Sequence, residues 1–353
     1  MEDAQFINLR IRKLKLPIDT ERRNTMSAKS FRDYIEKEGR IDWVFYCLSK
    51  RNLSSCADIG SGWGALTFYL ARWYDQVYSL EKNDKRIKFQ VRKNKDKKCD
   101  SVYFVKADMR HLPFNQKQFD LVCLNGVFEW TGSSNSHQNI KKLQLKLLKD
   151  IYAVLREEGC LYIGIENRFG FQYIMGARNH GELPFTSLLP GVIASLLMRI
   201  LEGRKHVIYI YSLPEYKKFL RKAGFSHIEF YWVFPSYRYP FYSGEIRNPK
   251  SFKFYLEIIR KKAKRKKLIE MLSILPDWLI RILLYWFSPH FLIFAWKKRP
   301  KLIFEHVEKQ NFLQISGKHH IYRIIFGKNW EIISKIKLRR FPSNIEKRRL
   351  QID

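Results

Sequence analysis

The sequence predicts an α/β fold: a doubly wound, mostly parallel seven-stranded sheet with a basic helical insertion and a small C-terminal appendage. Three observations predict it. Short apolar runs alternate with helical stretches from Ser55 to Phe225, the pattern of a parallel sheet covered on both faces. The first run closes on a glycine-rich turn, Asp58-Ile59-Gly60-Ser61-Gly62-Trp63-Gly64. The second and third end on acids, Glu81 and Asp108, at the strand ends where such sheets bind ligands.

Residues 1–28 are basic without a clear period and read as a flexible arm. The core is assigned to residues 29–240. It opens on an amphipathic helix, Ser30–Ser49, with Phe31, Tyr34, Ile41, Val44 and Phe45 on its apolar side. SCADIG, QVYSLE, SVYFVKAD, FDLVCLNG and CLYIGIEN read as strands, and ALTFYLARWY, RIKFQVRK and IKKLQLKLLKDIYAVL as helices. Leu213–Ala223 reads as a helix stopped by Gly224, and HIEFYWVF as the strand that follows. Residues 241–288 form the basic, amphipathic, helical insertion. Residues 289–298 carry the last core strand, HFLIFAWKK, and residues 299–353 are a structural appendage.

Apolar residues make up 46% of the 353 and charged residues 28%, a packed globular composition. Sixty-six Lys and Arg against 34 Asp and Glu leave a net charge of +32, which favours polyanionic partners. Codon bias in an AT-rich genome, giving Lys, Ile, Phe, Tyr and Asn together, accounts for this charge about as well. The five cysteines contain no C-x-x-C pair, so neither a disulfide framework nor a metal site is expected. No apolar leader and no uninterrupted membrane-length run is present. The expected location is cytoplasmic, peripheral at most to the inner membrane face.

In the Asp58–Gly64 turn, glycines let the backbone approach a ligand, and the helix that follows offers free N–H groups. Gly60-x-Gly62-x-x-Ala65 also satisfies a dinucleotide fingerprint. Glu81 is placed to accept hydrogen bonds from ribose hydroxyls. Asp108 and Met109 offer an acceptor and an apolar face for an adenine ring.

The order DIGSGWG, SLE, KADMRHLPF, FDLVCLNGVFEW resembles class I S-adenosylmethionine-dependent methyltransferases, whose fold is Rossmann-like. The resemblance covers residues 30–170 and favours S-adenosylmethionine over NAD. It implies Asp58, Gly60, Gly62 and Gly64 around the amino-acid part of the cofactor, and Glu81 at the ribose. It further implies Asp108 and Met109 at the adenine, with Asn125 and Gly126 lining the transfer cleft.

The stretch after the fifth core strand, Ile165-Glu166-Asn167-Arg168-Phe169-Gly170, continues through Tyr173 and Gly176 to His180-Gly181. It resembles bacterial methyltransferases of surface-polysaccharide and lipopolysaccharide assembly, implying O-methylation of a sugar or glycan-related acceptor. A sugar hydroxyl needs a proton acceptor, and imidazole titrates near neutrality. His180 is the candidate base, with Glu166 second and His137 third. Asn167, Arg168 and Arg178 are candidate substrate contacts, the arginines as anchors for an acidic group. Glu129 reads as part of a strand-to-helix corner.

Two rivals remain. The charge and nineteen tyrosines suit RNA methylation, but LNGVFEW lacks the Asn/Asp-Pro-Pro-aromatic pattern of base-amine methylases, so nucleic acid is the weaker partner. Alternatively, the chain is a membrane-surface or complex-forming scaffold that retains the cofactor-binding fold, with KKAKRKK at Lys261–Lys267 and WLIRILLYWF at Trp278–Phe287 suited to an anionic interface.

Overall fold

The computed structural model describes residues 54–97, 99–132, 139–180, 182–203, 206, 208–260 and 266–298, together with the backbone of strands 311–316, 320–326 and 332–339. The arm at 1–28, the helix expected at Ser30–Ser49, His137 and the basic run 261–265 lie outside the described residues.

Five parallel strands form one half of the sheet: β1 (Ser55–Ile59), β2 (Gln76–Glu81), β3 (Val102–Lys106), β4 (Phe119–Asn125) and β5 (Leu155–Glu166). They stand in the order β3-β2-β1-β4-β5. β1 is central, with Ala57 paired to Tyr78 on one side and Val122 on the other. Its residues are all buried, as a strand covered on both faces requires. β4 shows the period of two: Val122 and Leu124 enter one apolar core, Leu121 and Cys123 the other.

Helices cover both faces. α1 (Ala65–Leu70) packs Leu66, Phe68 and Leu70 into the core that holds Cys123. α2 (Asp84–Lys97) follows β2. On the other face, α3 (Ile140–Val154) buries Leu147, Leu148 and Ile151. It starts at Asn139, whose side chain accepts the Lys142 N–H. A single turn, α4 (Phe171–Ile174), and α5 (Gly191–Glu202) follow β5. α6 (Leu213–Ala223) has a capping box between Ser212 and Glu215 and ends at Gly224, as its sequence predicts.

The sheet is larger than the seven strands expected. β6 (His227–Ser236) and β8 (His290–Trp296) join antiparallel, β8 lying between β5 and β6. An eighth strand, β7 (Tyr239–Glu245), pairs antiparallel outside β6. It occupies the start of the segment read as helical from residue 241. The β6–β7 hairpin turns on Tyr237-Arg238, since Ser236 faces Tyr239. Neither residue is the Gly or Asn that announces such a turn, so the second strand stayed hidden. β9 (Asn311–Ser316), β10 (His320–Phe326) and β11 (Ile332–Arg339) continue the same sheet beyond β7, giving eleven strands. Three helices separate β7 from β8: α7 (Pro249–Arg260), α8 (Lys266–Ile274) and α9 (Asp277–Phe287).

Candidate active site

A cavity of about 570 Å³ opens at the carboxyl ends of β1, β2 and β4, within the roughly 300–1,000 Å³ usual for ligand pockets. Of the residues expected to bind the cofactor, Asp58, Gly60, Gly62, Glu81, Asp108, Met109, Asn125 and Gly126 line it. Gly64 is outside the lining and caps α1, with a Cβ there meeting the Gln90 side chain at 2.9 Å.

The glycine turn is held by polar contacts on its far side. Gln90 donates to Ser61 Oγ at 2.9 Å and to the Gly62 carbonyl at 2.8 Å. Asp58, 2% exposed, accepts from Thr67 Oγ1 at 2.7 Å. Gly60 and Gly62 both have left-handed φ values, 68° and 59°. A Cβ on Gly60 would lie 2.3 Å from Val127 Cγ2, whereas one on Gly62 would meet no protein atom within 4 Å. Gly62 therefore presents bare backbone to open space at the cavity wall, a cradle that a side chain would fill.

Glu81 and Asp108 flank the cavity with different charge environments. Glu81 accepts the Gly62 N–H at 2.9 Å and the Asn83 N–H at 2.8 Å. Asp108 takes the Arg110 guanidinium in a fork, Nε at 2.9 Å and Nη2 at 2.7 Å, with Lys82 Nζ also at 2.8 Å. These donors, Arg110 first, hold its carboxyl well below the usual range despite partial burial. Asp108 thus stays ionised and shares its oxygens with two cations beside the pocket.

At the other end the cavity is lined by Asn125, Gly126, Trp130, Thr131, His180 and Arg238. His180 Nε2 lies 3.1 Å from Glu166 Oε2 and 3.8 Å from Glu129 Oε1. The Trp130 ring meets the imidazole edge-on, 5.1 Å between centroids. Among the described residues His180 is one of three non-glycine residues with positive φ, 48°, a strain that clusters at functional sites. Burial pushes the His180 pKa down, but the Glu166 hydrogen bond and the charges of Glu166 and Glu129 outweigh it and raise the value. For Glu166, burial acts upward and His180 brings the value below normal. Glu129 is pushed up to about 7, by burial first and the Glu166 charge second.

The sequence makes Glu129 part of a strand-to-helix corner, and it does sit on the short 3-10 turn Phe128–Trp130 after β4. Its carboxylate, though, is fully buried beside Glu166 and His180. Trp130 and Arg238 were likewise not singled out. Arg238 follows Tyr237 in the β6–β7 turn and donates to its hydroxyl at 3.1 Å. That hidden hairpin is what brings it to the cavity.

The candidate substrate contacts lie elsewhere. Asn167 is fully buried and donates to the carbonyls of Trp286 at 2.7 Å and Ser288 at 2.8 Å, fixing the approach to β8. Arg168 binds the carbonyls of Ser187 and Leu189 and meets Glu215 at 3.5 Å, stapling the segment before α5. Neither these two nor Arg178 and Glu166 line the cavity. Glu166 acts there through His180.

Residues 57–163 match the family model described as a methyltransferase domain. No curated protein matches the chain. Similar solved structures include the YcgJ protein from Bacillus subtilis, 13% identical, covering 75% of this chain and 99% of that one with a TM-score of 0.42. A SAM-dependent methyltransferase from Aquifex aeolicus is 14% identical over 48% of this chain and 80% of its own, TM-score 0.33. Haemonchus contortus phosphoethanolamine N-methyltransferase 2, in complex with phosphomonomethylethanolamine and S-adenosylhomocysteine, is 16% identical over 74% and 52%, TM-score 0.41. These likenesses are distant, and the reading of the reaction rests on the residues of the cavity. The bare backbone at Gly62 and the paired acids at two strand ends fit the expected cofactor. Residues 57–163 are a methyltransferase domain, and its cofactor is S-adenosylmethionine.

Proposed function

We propose that this S-adenosylmethionine-dependent methyltransferase methylates a hydroxyl of a sugar or glycan-related acceptor, with His180 as proton acceptor in the metal-free enzyme. One observation carries the reading: a cavity-lining imidazole is held at 3.1 Å by a buried carboxylate, Glu166. Bound S-adenosylmethionine supplies an electrophilic sulfonium methyl group, so the remaining task is to place and deprotonate the acceptor. Asp58, Gly60 and Gly62 would hold the amino-acid part of the cofactor, Glu81 the ribose hydroxyls, and Asp108 with Met109 the adenine. Asn125 and Gly126 would flank the acceptor.

A neutral hydroxyl is a weak nucleophile, and a positioned base raises its reactivity about 10²–10⁴-fold. His180 takes the hydroxyl proton while Glu166 orients the ring and stabilises the imidazolium. The Trp130 ring gives an apolar wall for a sugar face. Arg238 supplies the cation for an acidic acceptor group, the role first assigned to Arg168 and Arg178. Glycans, RNA and protein are separated by incubating the enzyme with methyl-labelled cofactor and fractionated cell extract. Label in glycan as alkali-stable methyl ether supports the reading; label confined to RNA or protein overturns it.

We infer as well that the protein works against an anionic membrane surface. α5 exposes Val192, Leu196 and Ile200, and α9 exposes Trp278, Ile282 and Trp286. Trp286 packs against Phe169, 6.1 Å between rings, so the α9 face adjoins the segment that leads from β5 towards His180. Exposed apolar clusters of this kind mark interaction sites, and the net charge of +32 favours an anionic partner. Among the described residues no helix is long and apolar enough to cross a membrane.

A further inference from the structure

We propose that Glu129, Glu166 and His180 form a binding site for a divalent transition cation such as Mn²⁺ or Zn²⁺. The sequence offered no metal site because the expectation rested on cysteine spacing; these ligands come from three separate segments instead. Glu129 lies on the turn after β4, Glu166 ends β5, and His180 lies in the loop beyond α4. One donor atom from each lies within 4.8 Å of the other two. Ligands about 2.0–2.2 Å from one metal ion stand roughly 3.0–3.5 Å apart. The His180–Glu166 separation of 3.1 Å already meets this, and the His180–Glu129 separation of 3.8 Å needs a small side-chain rotation.

A second observation points to a ligand. Glu129 is 0% exposed, and neither of its carboxylate oxygens has a hydrogen-bond partner. A buried carboxylate without a hydrogen bond is costly and is relieved by a proton or a cation. Oε1 already faces the His180 nitrogen. One imidazole nitrogen with two carboxylate oxygens is a donor set suited to Mn²⁺, Fe²⁺ or Zn²⁺ rather than to the soft metals that favour thiolates.

Neighbouring charges leave room for a cation. Arg238 opposes it, being close enough to act on all three groups. His290 pairs with Glu166 across β5 and β8, and burial pushes its pKa down to about 4, so it is neutral near physiological pH. Two carboxylates against one guanidinium leave a negative excess when His180 is neutral. The inference rests on the hydroxyl-acceptor reading and changes one role within it. In the loaded enzyme His180 is a ligand, and it is the proton acceptor only when the site is empty.

The test uses the full chain stripped with chelator and titrated with Mn²⁺, followed by the loss of the free-ion electron paramagnetic resonance signal. One saturable site per chain is expected, displaced by Zn²⁺ and weakened at least tenfold in both Glu129→Gln and Glu166→Gln. S-adenosylhomocysteine affinity, measured on the same samples, confirms that each variant is folded. The site is overturned if folded wild type shows no saturable Mn²⁺ or Zn²⁺ binding, or if Glu129→Gln binds as tightly as wild type. Glycan methylation by chelated enzyme alongside absent metal binding removes the metal site and leaves the hydroxyl-acceptor reading standing. Metal binding alongside label confined to RNA or protein does the reverse.

Discussion

The backbone N–H of Gly62 donates to Glu81 at 2.9 Å, tying the glycine turn after β1 to the end of β2. The second Glu81 oxygen takes the Asn83 N–H at 2.8 Å. A carboxylate gripped at both oxygens keeps one orientation in the cavity wall it lines, and each oxygen has acceptor capacity left over. Turn and carboxylate are therefore a single preorganised unit.

Glu81→Gln tests this unit. An amide keeps the shape, but only one oxygen remains to serve two backbone donors and a ribose. S-adenosylmethionine affinity should fall about tenfold, equal to about 1.4 kcal/mol, and the melting temperature should fall as well, since one backbone N–H loses its acceptor. Calorimetry checks it; unchanged affinity would show that Glu81 braces the turn without touching the cofactor.

Asp108 carries a pH dependence. Its folded pKa is held below the unfolded value of about 3.9. The Arg110 and Lys82 contacts therefore stabilise the fold fully above that value, and the contribution is lost progressively as pH falls from it through the lower folded pKa. Asp108→Asn should be less stable than wild type at about pH 7, with the difference shrinking towards about pH 3. Thermal melts at the two pH values measure it, and a difference independent of pH contradicts the assignment. The effect should be modest, since the Lys82 side chain is 59% exposed.

His180→Ala separates chemistry from binding. Turnover should fall by about 10²–10⁴-fold, the range for a general base, while cofactor affinity stays within a factor of two or so. Single-turnover kinetics with saturating cofactor read the chemical step. Wild-type turnover in the folded variant would reduce His180 to a loop residue.

The parallel half of the sheet and its cofactor end were legible in the sequence, because there chemistry sits on regular elements. Asp58 is the last residue but one of β1, Glu81 the last of β2 and Asp108 two beyond β3, and strands covered on both faces announce themselves by continuous apolar runs. The surroundings of His180 were less legible. Glu129 and Arg238 reach them from a short turn and from a hairpin without turn residues, neither of which has a period to read. Polar groups at Asn167 and Arg168 looked like substrate contacts, yet they serve main-chain carbonyls of neighbouring segments. Sequence shows that a side chain can make hydrogen bonds; only the fold shows which ones it makes.

Membrane attachment through α9 predicts that Trp278→Ser combined with Ile282→Ser releases the protein from anionic vesicles. Both residues are exposed, so the fold and cofactor affinity should be unchanged. Co-sedimentation at low and high salt decides it: wild type that never sediments with the vesicles contradicts the surface role.

The central claim is that the turn from Asp58 to Gly64 seats S-adenosylmethionine, and calorimetric titration of that cofactor into wild type and Gly62→Ala tests it most directly. A Cβ at Gly62 meets no protein atom, and its positive φ costs only about 1–2 kcal/mol, so the variant should fold. Wild type should bind one cofactor per chain, and Gly62→Ala should bind at least tenfold more weakly because the methyl group occupies ligand space. No binding by folded wild type, or equal binding by both proteins, would contradict the account.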